Sequence, residues 1–199
     1  MYETLYSNIA DNLVKNGYII VEEALNIELN KTLFSICQDE TGFKKAGISG
    51  AGAMHLDSLK RSDSIRWLDE DMQAQSEFLD FAKGLQIYLN RHLYLGLNYY
   101  ESHFAIYKEG DFYEKHLDSF KNFKNRVVTT VYYLNEDWVF GDGGELLVYD
   151  VADKLIVSVS PKAGTLVVFL SENFPHEVLP TMKNRHSIAG WFRIDKIGA

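Results

Sequence analysis

The chain has a single cysteine, Cys37, so no internal disulfide can form, and its setting in L-F-S-I-C-Q reads as one face of a helix, a core position. No apolar run reaches the roughly 18 residues that would span a bilayer. The opening M-Y-E-T lacks the basic start of a secretion signal, so a reducing cytoplasm is the expected location. Basic charge is also short. Twenty Lys and Arg stand against 28 Asp and Glu, a net charge of −8, which argues against direct nucleic-acid binding because phosphate neutralisation calls for a cationic surplus. The local basic run Lys115, Lys121, Lys124 and Arg126 reads as a solvated loop, or alternatively as a rim that attracts an acidic partner. Repeats, low-complexity segments and a convincing linker are all missing, so residues 1–199 are expected to form one domain.

What is present is a hydrophobic share of 46% with 12 Tyr and 12 Phe, enough for one sizeable core and weighted toward residues that fit pleated surfaces. Leu5, Ile9, Leu13 and Val14 set a helical period over residues 3–16 that stops at Gly17, where Y-I-I-V begins a short strand. A second helix is expected over Ile27–Gln38 and a third over residues 71–93, with Phe78, Phe81, Leu85, Tyr88 and Leu89 on its apolar face. Between them Thr41–Leu59 is rich in Gly and Ala and shows no period, the signature of a loop. A segment of this length ahead of a candidate site suggests a lid, Gly42–Asp63.

From Leu97 onward the pattern changes to strands: Tyr99–Tyr107, Val127–Leu134, Glu145–Tyr149, Leu155–Ser160, Thr165–Leu170, His176–Leu179 and Ser187–Ile194, separated by turns bearing Gly, Asn or Pro. Short strands at such spacing indicate a sandwich or barrel. The expected class is therefore α+β but mainly β, with helical support and a lid loop over 1–95 buttressing a β core over 96–195.

Within that core, Y-E-K-H-L-D at Tyr113–Asp118, P-H-E-V at Pro175–Val178 and Arg185 supply two imidazoles, a carboxylate and a guanidinium. In a strand, residues i and i+2 share a face, so His116 and Asp118 can point into a barrel together. Two neutral imidazoles and one carboxylate leave a divalent iron with open positions, which suits non-heme oxygen chemistry. The pair alone is weak evidence, since a chain with six His and 28 acidic residues should hold about one by chance. A second copy, His55-Leu-Asp57, is set aside because it falls in the Gly-rich loop, whereas rigid sites are best built on strands. His55 is expected to be a lid or surface residue. Arg185 lies nine residues after His176 across a turn at Lys183-Asn184, and is expected to return to the same cavity on the antiparallel neighbour strand. A buried guanidinium needs an anion, and its planar fork suits a carboxylate.

These residues resemble the Fe(II)/2-oxoglutarate dioxygenases, in particular the prolyl 4-hydroxylase branch that includes the hypoxia-factor and SM-20-like enzymes. The resemblance runs over roughly Lys60–Arg193 and rests on Y-x5-Y-x2-H-x-D at Tyr107–Asp118, V-Y-Y-L-N-E-D-W at Val131–Trp138, G-G-E-L at Gly143–Leu146, and P-H-E-V-x-P with Arg185 and Trp191. It implies a double-stranded β-helix (jelly-roll, cupin-like) core, iron held by His116, Asp118 and His176, and the distal carboxylate of 2-oxoglutarate held by Arg185 and Tyr133. Tyr107 and Tyr113 would line the pocket and Trp191 its wall. R-S-D-S-I-R-W at Arg61–Trp67 looks like the family segment flanking the substrate entrance, with Asp63 expected to pair with Arg126. This chain departs from the family at Ser62, where glycine is usual, in a loop between Tyr107 and Tyr113 one residue shorter than in the animal enzymes, and after Asp118.

The activity so implied is hydroxylation of a prolyl residue in a protein or peptide with Fe(II), O2 and 2-oxoglutarate, releasing succinate and CO2, with ascorbate as a further candidate reductant. A translation-associated protein is the partner the microbial members suggest. Two other functions fit the same residues: oxygenation of a free amino acid or small metabolite, and a cupin-like metal-binding protein without turnover. Tyr132 reads as aromatic core.

Overall fold

The computed structural model describes residues 2–50, 53–55, 60–119 and 125–195. In chain order the elements are α1 (Glu3–Asn16), β1 (Tyr18–Val21), α2 (Ile27–Gln38), β2 (Lys44–Lys45), β3 (Ile48–Gly50), β4 (Ala53–His55), β5 (Ser64–Trp67), α3 (Gln73–Leu93) and β6 (Tyr99–Tyr107). They continue with β7 (Tyr113–His116), β8 (Arg126–Tyr133), β9 (Leu146–Tyr149), β10 (Leu155–Val159), β11 (Leu166–Leu170), β12 (His176–Val178) and β13 (Arg185–Arg193).

The helices form where the apolar period and end signals coincide. α1 buries Ile9 and Leu13 and stops at Gly17, whose left-handed φ of 79° lets its N–H reach Asn12 and Leu13 carbonyls. A Cβ there would also meet the Phe174 ring at 2.8 Å, so glycine is required twice over. α2 starts at Asn26, whose side chain accepts the Glu28 N–H at 2.8 Å, and it buries Leu33 and Cys37 as expected. Asn30, fully buried on the same face, donates to the Tyr132 hydroxyl at 3.1 Å and the Tyr133 carbonyl at 2.9 Å. That polar tie fixes α2 against β8.

The larger sheet runs β1-β11-β8-β13-β6-β5-β2 and the smaller β10-β9-β12-β7, the facing pair of a jelly roll. The period of 2 along each strand of the larger sheet sorts its side chains between two cores. Phe104, Ile106, Val128, Tyr132, Val168 and Ile188 pack against the helices with Leu33, Phe78 and Leu85. The alternate residues Ala105, Tyr107, Val131, Tyr133, Val167 and Phe169 face the smaller sheet, meeting Leu146, Val148 and Val178. A cavity opens in this inner layer.

Two differences from the sequence reading stand out. Within Thr41–Leu59, β2 pairs with β5 and β3 pairs with β4 as a hairpin, Ile48 opposite His55; strands of two or three residues are too short to display an alternation. Residues 51–52 and 56–59 of the expected lid, and so Asp57 of the second His-Leu-Asp, lie outside the described residues. Finally, β5 and β7 were not expected as separate strands; β7 carries exposed Glu114 and Lys115 at its centre, which hides an apolar pattern.

His186, 7% exposed, packs edge-on against Phe34 of α2 at 5.1 Å. Burial pushes its imidazole down from 6.5 to about 4; Glu40 pulls it back up and Arg185 lowers it further. The unfolded chain therefore binds a proton here between those values and the folded chain does not, so stability falls as pH drops below 6.5. Urea unfolding of the metal-free protein should show a contribution on the order of 2 kcal/mol lost by pH 5. In His186→Gln the pH 7 to pH 5 difference should shrink by that amount; an unchanged difference would remove His186 from the account.

Candidate metal and cosubstrate site

The antiparallel pairing of β12 with β7 puts His176 directly opposite His116. Their rings lie 4.3 Å apart between centroids. Asp118 follows two residues after the end of β7, turned inward to 6% exposure, so strand geometry delivers the imidazoles and the bend after it delivers the carboxylate. Asp118 Oδ1 stands 3.6 Å from His116 Nε2 and Oδ2 stands 3.5 Å from His176 Nε2. One ligand atom from each of the three residues lies within 4.8 Å of the others, and no other such cluster occurs among the described residues.

The donor chemistry fits a divalent iron. His116 Nδ1 is 2.7 Å from the Glu114 carbonyl and His176 Nδ1 is 3.0 Å from the Phe174 carbonyl. A carbonyl only accepts, so each Nδ1 carries the hydrogen and each Nε2 lone pair is left for a metal. Burial pushes the His176 imidazole down to about 4, against the pull of Asp118, which keeps it neutral. Burial alone would raise the Asp118 carboxyl, but the neighbouring His176 and His116, then Arg126, hold it below the usual carboxylate range. Thr129 Oγ1 donates to Asp118 Oδ2 at 2.8 Å and is itself 2.9 Å from Ser171 Oγ. Groups that orient a ligand in this way are typically worth about 10–100-fold in metal affinity. Thr129→Val should therefore weaken Fe(II) or Mn(II) binding by about tenfold or more with the fold intact, as read by metal titration; unchanged affinity would deny Thr129 that role.

At the far end of the same cavity Arg185 is 1% exposed. Its Nε donates to the Gly144 carbonyl at 2.9 Å and Nη1 to Ser187 Oγ at 3.2 Å, and the guanidinium lies over the Tyr107 and Tyr133 rings at 4.8 and 5.0 Å. A Cβ at Gly144 would approach the Arg185 side chain to 3.0 Å, so the G-G turn makes room for it. Among the described residues no carboxylate pairs with this cation. The Tyr133 hydroxyl beside it is buried with no hydrogen-bond partner among the described residues. Burial raises both the Tyr133 and Tyr107 phenols, so both stay protonated as donors. An unpaired buried cation and an unsatisfied hydroxyl side by side form a receptor for a carboxylate.

Arg185 reaches the cavity by a route other than the expected one. β13 does not neighbour β12; it belongs to the larger sheet, between β6 and β8, and faces β12 across the cavity. Arg185, Ser187, Ala189 and Trp191 point inward from β13, opposite Tyr107, Ala105, His103 and Glu101 of β6. The short turn after β12 crosses between sheets instead of closing a hairpin.

A Pseudomonas putida prolyl-4-hydroxylase structure superposes with a TM-score of 0.87 at 34% identity, covering 96% of this chain and 100% of that one. The 2OG-Fe(II) oxygenase superfamily model matches residues 102–193. This chain belongs to that superfamily. Its fold, like that of the Pseudomonas protein, is the double-stranded β-helix expected from the resemblance. Among curated relatives, the chain is 38% identical over 91 residues to a Caenorhabditis elegans hypoxia-inducible factor prolyl hydroxylase and 30% identical over 152 residues to Homo sapiens prolyl hydroxylase EGLN3. The matches cover 44% and 72% of this chain, and they span 12% and 62% of those relatives.

On the mouth side of the cavity stand Tyr113, stacked on His116 at 3.6 Å, and Trp191, with the Arg126 guanidinium 3.8 Å above its ring. The expected Asp63–Arg126 pair is not formed. Asp63, fully buried, is held by Arg61 at 2.6 and 2.9 Å, and Arg126 is held by Glu101 at 2.8 Å. Two residues apart, Arg61 and Asp63 satisfy each other locally, and Arg61 then lies 4.6 Å over Tyr113 at the mouth while Asp63 supports it from behind. The basic run does not behave as a free rim either: Lys115 pairs with Asp153 at 2.8 Å, Arg126 with Glu101, and Lys121 and Lys124 lie outside the described residues. Sequence reasoning named Arg61 only as part of its entrance segment, without a role of its own, and missed Thr129 and Ser171. Counting back by twos from Tyr133 along β8 would have placed Thr129 on the cavity face.

Proposed function

We propose that this chain is an Fe(II)- and 2-oxoglutarate-dependent dioxygenase that hydroxylates a prolyl residue in a protein or peptide and releases succinate and CO2. The observation that carries this reading is the unpaired, buried Arg185 in the cavity that also gathers His116, Asp118 and His176. A structural metal site has no need of such a cation, which argues against a binding protein without turnover. The names of the curated relatives support a prolyl substrate, and the one from Caenorhabditis elegans points to a protein.

In this reading His116 Nε2, His176 Nε2 and the Asp118 carboxylate would hold the ion. Arg185 and the Tyr133 hydroxyl take the distal carboxylate of 2-oxoglutarate, and Tyr107 walls the diacid in, so that its oxo-acid end is delivered to the metal in one orientation. When bound, the iron supplies the redox chemistry that couples decarboxylation of 2-oxoglutarate to hydroxylation of a C–H bond. Val131, Leu146 and Val178 line that space and exclude water from it. Tyr113, Trp191 and Arg126 form the surface that meets the substrate, with Asp63 acting through Arg61. The chain works as one dioxygenase domain, 1–95 as support and lid, in a reducing compartment such as the cytoplasm; no helix among the described residues is long and apolar enough to cross a membrane.

The test is turnover. With Fe(II) and ascorbate, 2-oxoglutarate should be converted to succinate without any substrate, and faster with it. Incubation with host lysate should leave a prolyl peptide heavier by one oxygen atom, with translation-associated proteins the first place to look. No succinate under either condition would overturn the proposal.

A further inference from the structure

His103 lies at the mouth of the cavity and has no part in holding either the metal or the diacid. It is 2% exposed, yet it lines both the metal cavity and the outer entrance that leads to it. β6 alternation puts His103 on the inner face with Ala105 and Tyr107, and its cross-strand neighbour on β13 is Ala189, whose small side chain leaves open space beside the imidazole. The ring is held edge-on to Trp67 at 5.3 Å and tilted to Trp191 at 5.4 Å, so its orientation is set by packing.

Its Nδ1 lies 3.2 Å from the Phe104 carbonyl. A carbonyl cannot donate, so Nδ1 carries the hydrogen and Nε2 is a bare acceptor, with no hydrogen-bond partner among the described residues. Burial, then the Arg61 cation, pushes the imidazole down to about 4, Asp63 opposing and Arg126 adding to the effect, so the ring stays neutral at physiological pH. Nε2 is not among the fully buried polar atoms without a partner, so it faces the open space of the cavity that His103 lines, where an entering donor can reach it. An oriented acceptor at a cavity mouth is explained by a donor that arrives with the substrate.

We propose that His103 is a specificity-determining residue that accepts, through Nε2, a hydrogen bond from a backbone amide N–H of the substrate polypeptide as its proline enters beside the metal centre. The inference rests on the reading above that the substrate is a polypeptide. Proline in a chain has no N–H, so the amide belongs to a residue flanking it in the polypeptide.

The experiment uses the full chain with Fe(II), 2-oxoglutarate and a degenerate peptide pool carrying one fixed central proline, and measures succinate formation with and without peptide. In His103→Leu the peptide KM should rise about tenfold, the cost of one lost hydrogen bond of about 1.4 kcal/mol, while kcat and peptide-free turnover stay within about twofold. His103→Gln, which presents an acceptor oxygen in place of Nε2, should recover most of the KM. An unchanged peptide KM in His103→Leu overturns the role of His103, as does an equal fall in peptide-free turnover or a failure of Gln to recover KM, both marks of a purely structural residue. If the leucine variant does not fold, the Gln variant compared with His103→Met carries the same comparison. Wild-type protein that makes succinate but never responds to peptide would instead sink the polypeptide reading itself.

Discussion

Replacing Arg185 by alanine should weaken 2-oxoglutarate binding by about a hundredfold while metal affinity changes by no more than about twofold. The guanidinium is buried, already oriented by the Gly144 carbonyl and Ser187, and has no carboxylate of the protein to compete for it among the described residues. A hydrogen bond to a charged group contributes about 1.5–3 kcal/mol, so losing the two-pronged contact of the guanidinium accounts for a hundredfold effect even with the Tyr133 hydroxyl still in place. Arg185→Lys should fall in between, because an ammonium keeps the charge but loses the planar fork. Calorimetric titration with 2-oxoglutarate and, separately, with Mn(II) separates the two affinities. Equal losses of both would mean that Arg185 holds the cavity together and anchors nothing.

Removing the carboxylate of Asp118 should have the other large effect. Asp118 is the one anionic ligand of the candidate set, and Asp118→Ala should cost metal affinity more than the roughly hundredfold that marks the upper range for residues acting behind a ligand. Turnover should fall to background. Thermal unfolding of the metal-free variant should show no matching loss, because the substitution relieves a buried charge while Thr129, its hydrogen-bond donor, keeps Ser171 Oγ as a partner. His55→Ala is the control for the second His-Leu-Asp sequence and should bind metal as the wild type does. Metal affinity lost at His55 and kept at Asp118 would reverse the assignment.

The sequence carried the site more fully than the segments around it. His116 was legible as a strand residue, but Asp118 reaches the same cavity from the bend after β7 and not by the strand period the sequence suggested; His176 was legible because a closed sheet brings distant strands into register, and the structure pairs it with His116 directly. The strands of the inner layer were legible because their alternation separates two apolar cores. Arg185 was found by its spacing, but its path was misread, since a short turn gives no indication whether it closes a hairpin or crosses between sheets. β2, β3 and β4 were invisible for lack of length. The exchange of partners, Asp63 with Arg61 instead of Arg126, shows a local pair winning over a long-range one, and nothing in a list of charges favours either before the chain is folded. Thr129 and His103 were hidden for a different reason: a hydroxyl or imidazole within a strand reads as ordinary until the face it shares is known.

The most direct test is a crystal structure of the protein grown without oxygen in the presence of Fe(II) and 2-oxoglutarate. The account predicts an iron anomalous peak bonded to His116 Nε2, His176 Nε2 and the Asp118 carboxylate, with the diacid reaching from that ion to the guanidinium of Arg185 and the hydroxyl of Tyr133. Iron bound elsewhere, or a diacid that leaves Arg185 unpaired, would contradict it.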